Sequence, residues 1–212
     1  MLRRSARSAR SARSAGIVAV VAIAAALLVS GCSAGPGTPD GSPSTSTATS
    51  PSPTSAVETQ PIDAVDAVQG RSATYSVVPP QGWGEATDEV GALPGVDLVL
   101  MSSERRAGFN TNLVVHVAPG DATLLESELQ KGRQQLADQG RTVSDAPAVS
   151  VGGSPATGFT TSFTQQGVEV VTRSYGLHHE GRVYLLTLSS AKSAGDQAAA
   201  ELAQIAESWT WS

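Results

Sequence analysis

Val168-Glu-Val-Val-Thr-Arg-Ser-Tyr-Gly-Leu177 and Val183-Tyr-Leu-Leu-Thr-Leu188, joined across Glu180-Gly181, carry the topology of this chain. Both segments are rich in β-branched and aromatic residues, which suit a pleated and half-buried surface. Glu180-Gly181 and the preceding Gln166-Gly167 place a glycine where a tight hairpin turn needs a left-handed residue. Ala156–Thr164, just upstream, has the same character. The three segments therefore predict an antiparallel meander.

Three more strands are expected before it. Tyr75-Ser-Val-Val is stopped by Pro79-Pro80, Val96–Met101 is a short apolar run, and Leu113–Val117 alternates around His116. Two helices complete the pattern. The first is expected over Thr123–Gln139, with Thr123 and Glu126 at capping-box spacing and Gly140 as a left-handed C-cap. Leu125, Leu129 and Leu136 form its apolar stripe, and Gly132 lies on that stripe. The second is expected over Gly195–Ser208, capped by Ser193, with Ala198, Leu202, Ile205, Ala206 and Trp209 at helical spacing. Strands, helix, strands, helix imply an α+β fold: an antiparallel β-sheet flanked by helices.

All nine aromatic residues lie from Tyr75 onward, which places the folded domain at 70–212. About 140 residues suffice for one domain with a real core. The region before it reads differently. Residues 1–15 carry five arginines and no acid, and Ile17–Val29 is an unbroken apolar run. A basic start, a short apolar stretch and small residues at a cut site make a secretory signal over 1–31. The run is shorter than the ~20 residues a membrane span needs. Val29-Ser-Gly31-Cys32 reads as a lipobox, with cleavage between Gly31 and Cys32 and diacylation of the Cys32 thiol. Cys32 is the only cysteine, so no internal disulfide is available to the exported chain. Residues 32–69 are then a tether: 17 of residues 33–56 are Ser, Thr or Pro, and Asp40 is the only charge among them. Such a composition cannot offset its own ordering entropy. As a coil it spans roughly 30–35 Å.

Without the five signal arginines, nine Lys and Arg face 19 Asp and Glu. That acidic balance argues against nucleic acid and against an electrostatic grip on anionic headgroups. Membrane affinity must come from the lipid, and two acyl chains give stable anchoring where one does not. The expected location is the outer face of the cell membrane.

Val78-Pro-Pro-Gln-Gly-Trp83 after a strand resembles the opening of PsbP-like domains. Asn112-Leu-Val-Val-His-Val117, the first helix, Arg173-Ser-Tyr175, Tyr184-Leu-Leu-Thr-Leu188 and the closing Ile205-Ala-Glu-Ser-Trp209 follow in the same order. In a lipoprotein, this pattern is similar to the LpqN-like actinobacterial group of the Mog/PsbP superfamily. The resemblance implies an α/β/α sandwich without catalysis, whose members act as adaptors, some of them in cell-envelope assembly. It brings no catalytic residues to carry over.

The residues themselves supply no reaction. Ser189-Ser-Ala-Lys192 matches Ser-x-x-Lys, but a serine nucleophile of that type must open a buried helix, and Ser189 ends an expected strand. His178 and His179 are adjacent, so on a strand they point to opposite faces. His116 reads as a half-exposed sheet residue. Asp88, Glu89 and Asp97 lack the spacing of a calcium loop and read as a solvated acidic loop. No metal, no cofactor and no catalytic set are expected. Trp83, Arg105, Arg106 and Trp211 are the candidate partner contacts, with Arg105-Arg106 at an exposed loop tip. Two readings follow. The first is a non-catalytic docking module for an envelope protein. The alternative is a carrier or sensor of an apolar envelope molecule, a lipid or glycolipid, with Gly132, Ala198, Ala199 and Ala206 facing one another around a slot.

Overall fold

A computed structural model describes residues 67–89 and 93–212. The expected signal and lipobox, with Gly31 and Cys32, and the expected tether up to residue 66 lie outside the described residues.

The order of elements is β1 (Val68–Gln69), β2 (Tyr75–Val77), β3 (Trp83–Glu85), β4 (Val96–Arg106), β5 (Phe109–Pro119), α1 (Ala122–Asp138), β6 (Thr142–Asp145), β7 (Val149–Val151), β8 (Ser154–Gln165), β9 (Val168–His179), β10 (Arg182–Ala191), α2 (Gly195–Ser208) and β11 (Thr210–Trp211). The main sheet runs β3-β4-β5-β10-β9-β8-β6, and β7 pairs with β8. A small second sheet runs β1-β2-β11. The expected meander is β8-β9-β10, antiparallel throughout. Its turns use Gln166-Gly167 and Glu180-Gly181 with positive φ at both residues, the hairpin geometry that matches strand twist. A third turn of the same kind, Ala107-Gly108, joins β4 to β5.

Side chains alternate across the sheet, so the central strand β10 sends Tyr184, Leu186 and Leu188 to one face and Val183, Leu185, Thr187 and Ser189 to the other. The first face receives α2. There Leu186, Leu188, Leu98, Leu100, Leu113, Leu177, Ala198, Leu202 and Ile205 form one continuous core. Tyr75 stacks on Trp209 at 4.0 Å at its lower end. The second face receives α1, through Leu125 and Leu129 against Val183 and Leu185. A separate cluster on that face joins Ala86 and Leu93 to Val96, Val99, Val114 and Met101. The architecture is the α/β/α sandwich expected from the sequence.

Three local expectations change. The N-cap of α1 is Asp121, whose Oδ1 accepts from the Leu124 N–H at 2.8 Å, so Thr123 lies inside the helix and closes no capping box. Ser193 does not cap α2; it lies in a 3₁₀ turn over Lys192–Ala194, and the N-cap is Ala194 with no side-chain bond. Gly132 and the alanines of α2 are on opposite sides of the sheet, so they enclose no common slot. Gly140 does end α1 with φ 78°, and the Arg141 N–H returns to the Leu136 carbonyl at 3.1 Å.

Candidate functional site

The register of the central strands lines up a polar row on the α1 side. Thr161 stands opposite Thr172, Thr172 opposite Ser189, Ser189 opposite Asn112, and Asn112 opposite Met101. A second row runs Phe159, Ser174, Thr187, Val114, Val99. Thr161 and Thr172 share a hydroxyl contact, and Ser174 and Thr187 share one at 3.3 Å. Asn112 Nδ2 donates to the Asn110 carbonyl at 3.1 Å. Ser189 is fully buried, and its Oγ, like Asn112 Oδ1, has no partner. Buried polar atoms are normally satisfied; Thr111 Oγ1, Ser190 Oγ and Trp209 Nε1 are likewise buried without a partner.

At the β4 end the rows run into the first of the two apolar clusters of this face, through Val99, Val114 and Met101. On one flank, α1 packs over β9, β8, β6 and the start of β10. Arg133 reaches Asp145 of β6 and donates to the Gly158 carbonyl of β8 at 3.0 Å, with its guanidinium over the Phe159 ring. Helical spacing places Glu128 on the flank of α1 away from Arg133. Glu128 is buried and ion-paired with Lys131 at 2.9 Å. On the other flank, a depression of about 410 Å³ is lined by Gly84, Glu85, Ala86, Met101 and Asn110.

The candidate partner contacts are distributed differently. Trp83 is not a presented contact: it is 9% exposed and packs with Leu98, Leu100 and Leu113, held by a turn that closes from the Pro80 carbonyl to the Trp83 N–H at 3.0 Å. Arg105 and Arg106 do not form a loop tip; they are the last two residues of β4. Arg105 is exposed and donates to the Gly108 carbonyl at 2.8 Å. Arg106 is bound inward, to Glu201 of α2 at 3.0 Å and to Glu104 at 2.7 Å. Its hydrogen bond holds the Glu104 carboxyl below the usual range. Trp211 is half-buried, stacked on His179 at 3.9 Å, and its Nε1 donates to the Gly152 carbonyl at 2.9 Å.

The other side chains weighed for chemistry are structural. Lys192 pairs with Glu169 on the surface at 3.1 Å, while Ser189 lies within β10. His116 is buried, not half-exposed, and burial pushes its pKa down to about 4 against an opposing interaction with the Gly95 backbone. The acidic loop is only partly solvated. Asp88 is open and pairs with Arg71, but Asp97 is buried and accepts from the Ser72 N–H at 2.7 Å and the Ser72 hydroxyl at 3.1 Å. Burial, reinforced by Asp97, drives the Tyr75 hydroxyl far above its ordinary pKa. No group of metal-ligating side chains occurs among the described residues. No described helix is long and apolar enough to cross a membrane.

Sequence reasoning passed over the polar rows. Their signal was present in β10, where Thr187 and Ser189 follow Val183 and Leu185 at alternate positions of an otherwise apolar run.

No family model and no curated protein matches the chain. Among solved structures, the cyanobacterial PsbP (CyanoP) of Synechocystis is similar at a TM-score of 0.50 and 18% identity, covering 74% of this chain and 98% of that one. LpqN of Mycobacterium tuberculosis, described as involved in cell envelope biogenesis, gives 0.48 and 15%, covering 65% and 83%. The Ran-binding protein Mog1p of Saccharomyces cerevisiae gives 0.46 and 12%, covering 68% and 93%. The chain has a PsbP-like α+β fold.

Proposed function

We propose that this protein is a lipid-anchored, non-catalytic docking module on the extracytoplasmic face of the cell membrane. The observation that carries the reading is Val29-Ser-Gly-Cys32, placed directly after a basic segment and an apolar run and directly before a Ser/Thr/Pro-rich stretch. Signal, lipid attachment and spacer stand in the only order in which they work together. The surface supports docking of a modest kind. Val78 is the one exposed large hydrophobic among the described residues, so a partner contact is polar and weak on its own. Anchoring offsets that weakness, because confinement raises the effective concentration of domain and partner.

The test is metabolic labelling with a clickable palmitate analogue, followed by cell fractionation. The native chain is expected in the membrane fraction with label. Cys32→Ala is expected unlabelled and no longer retained there as a lipoprotein. An unlabelled native chain in the membrane would sink the anchor. Crosslinking in intact cells then tests docking separately: an anchored chain that forms no crosslinked species leaves the lipid and removes the adaptor.

A further inference from the structure

We infer that the groove beside the end of β8, where β6 has not yet begun, binds an extended peptide that presents a carboxylate, and that Arg141 takes the charge. This deepens the docking reading and rests on it, because it names the chemistry of the partner. The groove has a volume of about 540 Å³, and Gly140, Arg141, Ser162, Phe163, Thr164 and Glu169 are among its lining residues. β6 pairs with β8 from Asp145 opposite Phe159 to Thr142 opposite Ser162, while β8 runs on to Gln165. No described strand therefore stands beside residues 163–165 on that side. β9 holds the other side, with Thr164 opposite Glu169 and Gln165 opposite Val168. Gln165 and Val168 close the two-residue turn, so their backbone groups face each other, and those of Thr164, one residue on, point away from β9. An open strand edge of this kind is a template for an added strand.

Charge narrows the class of peptide. The Arg141 guanidinium lies over the Phe163 ring at 4.1 Å from its centroid and makes no ion pair or side-chain hydrogen bond with a described residue. Stacking covers a face of the guanidinium and leaves its N–H donors, which lie in its own plane, uncommitted. Burial pulls the Arg141 pKa below the usual arginine value, so the charge has lost part of its hydration and gains from a counter-ion. Two parallel N–H donors match a carboxylate. Glu169 is the one acid that lines the groove, and Lys192 already holds it at 3.1 Å. One uncommitted cation balances one negative charge. A phosphate dianion would bring a second, close to the carbonyl end of α1 at Gln139 and Gly140. An apolar ligand would leave the cation desolvated and unpaired.

The experiment is NMR on the full-length chain in a zwitterionic detergent, read at the backbone amides and at the arginine Nε–H groups. The probes are acetyl-Thr-Val-Thr-Val with a free C-terminal carboxylate, the same peptide amidated at that end, acetate and inorganic phosphate. At up to about 10 mM, the acid peptide is expected to shift residues 162–165 and the Arg141 Nε–H. The amidated peptide and acetate are each expected to bind at least tenfold more weakly. Arg141→Gln is expected to weaken the acid peptide at least tenfold, and Arg105→Ala to leave it unchanged. Should Arg141→Gln disturb the fold, the map of shifts in the native chain decides. Peptide shifts that fall elsewhere, no peptide shifts at all, equal binding of the amidated peptide, or acetate or phosphate bound at these residues as tightly as the peptide each overturn the assignment. The docking role fails separately: a chain that crosslinks to a partner in cells but ignores the acid peptide keeps that role and loses this site.

Discussion

His116 is a buried imidazole with Val96 and Leu185 opposite it on the neighbouring strands and no ionisable partner in that register. Its folded pKa of about 4 lies below the unfolded value of about 6.5, so between those values the unfolded chain binds more protons than the folded one. Its contribution is therefore fully present above pH 6.5 and is lost as pH falls toward 4, by about 3 kcal/mol in all. Urea midpoints measured from pH 7 to pH 4 should fall more steeply for the native chain than for His116→Gln, and parallel curves would exclude the histidine as the cause. Ala107 offers a change of the opposite sign. It sits at φ 50° in a turn whose other two examples use glutamine and glutamate at the same place. A left-handed alanine costs about 1–2 kcal/mol, and asparagine tolerates the conformation better. Ala107→Asn is expected to stabilise by about 0.5 kcal/mol, seen as a rise of one or two degrees in Tm. Neither effect was visible beforehand. His116 reads as half-exposed because strand alternation alone does not say that both faces are covered, and the Ala107 turn was hidden inside what looks like a charged loop.

At the scale of elements, the strands were more legible than the ends of the helices. The β8-β9-β10 meander follows from Gln166-Gly167 and Glu180-Gly181, because few residue pairs suit that turn. The hairpin between β4 and β5 escaped notice because Ser102 to Arg106 continues β4 with polar residues beyond the apolar run. The start of α1 misled for a physical reason. Asp121 and Thr123 are both competent caps two residues apart, and the backbone of the preceding Gly120, hydrogen-bonded to the Gly181 carbonyl at 3.0 Å, sets where the helix can begin. The two caps can be told apart by mutation. Asp121→Ala removes the acceptor of the Leu124 N–H and is expected to cost about 1 kcal/mol, while Thr123→Ala is expected within about 0.5 kcal/mol of the native chain. Guanidinium unfolding of both variants settles the matter; a larger loss at Thr123 would restore the capping box.

Across the whole molecule, the two sides of the sheet answer to different demands. The α2 side is one unbroken apolar core, to which β4, β5, β7, β8, β9 and β10 contribute and which the aromatic stack of Tyr75 on Trp209 closes at one end. The sequence announces this side plainly, since its leucines fall at alternate positions and at helical spacing. The α1 side is interrupted by the polar rows, and the sequence conceals it because a Thr or Ser in a strand is unremarkable until the register shows that three adjacent strands place one in line, with Asn112 next to them. The difference has a thermodynamic signature. Leu186→Ala on the α2 side leaves a cavity in close-packed surroundings and is expected to cost about 2–5 kcal/mol. Ser189→Ala on the α1 side removes a buried hydroxyl that has no partner to lose, so it is expected to be neutral or slightly stabilising, within about 1 kcal/mol. Chemical denaturation of the two variants tests this asymmetry without any ligand. A Ser189→Ala loss as large as that of Leu186→Ala would show the hydroxyl to be part of the core's own structure, and the polar rows would then be a feature of folding alone.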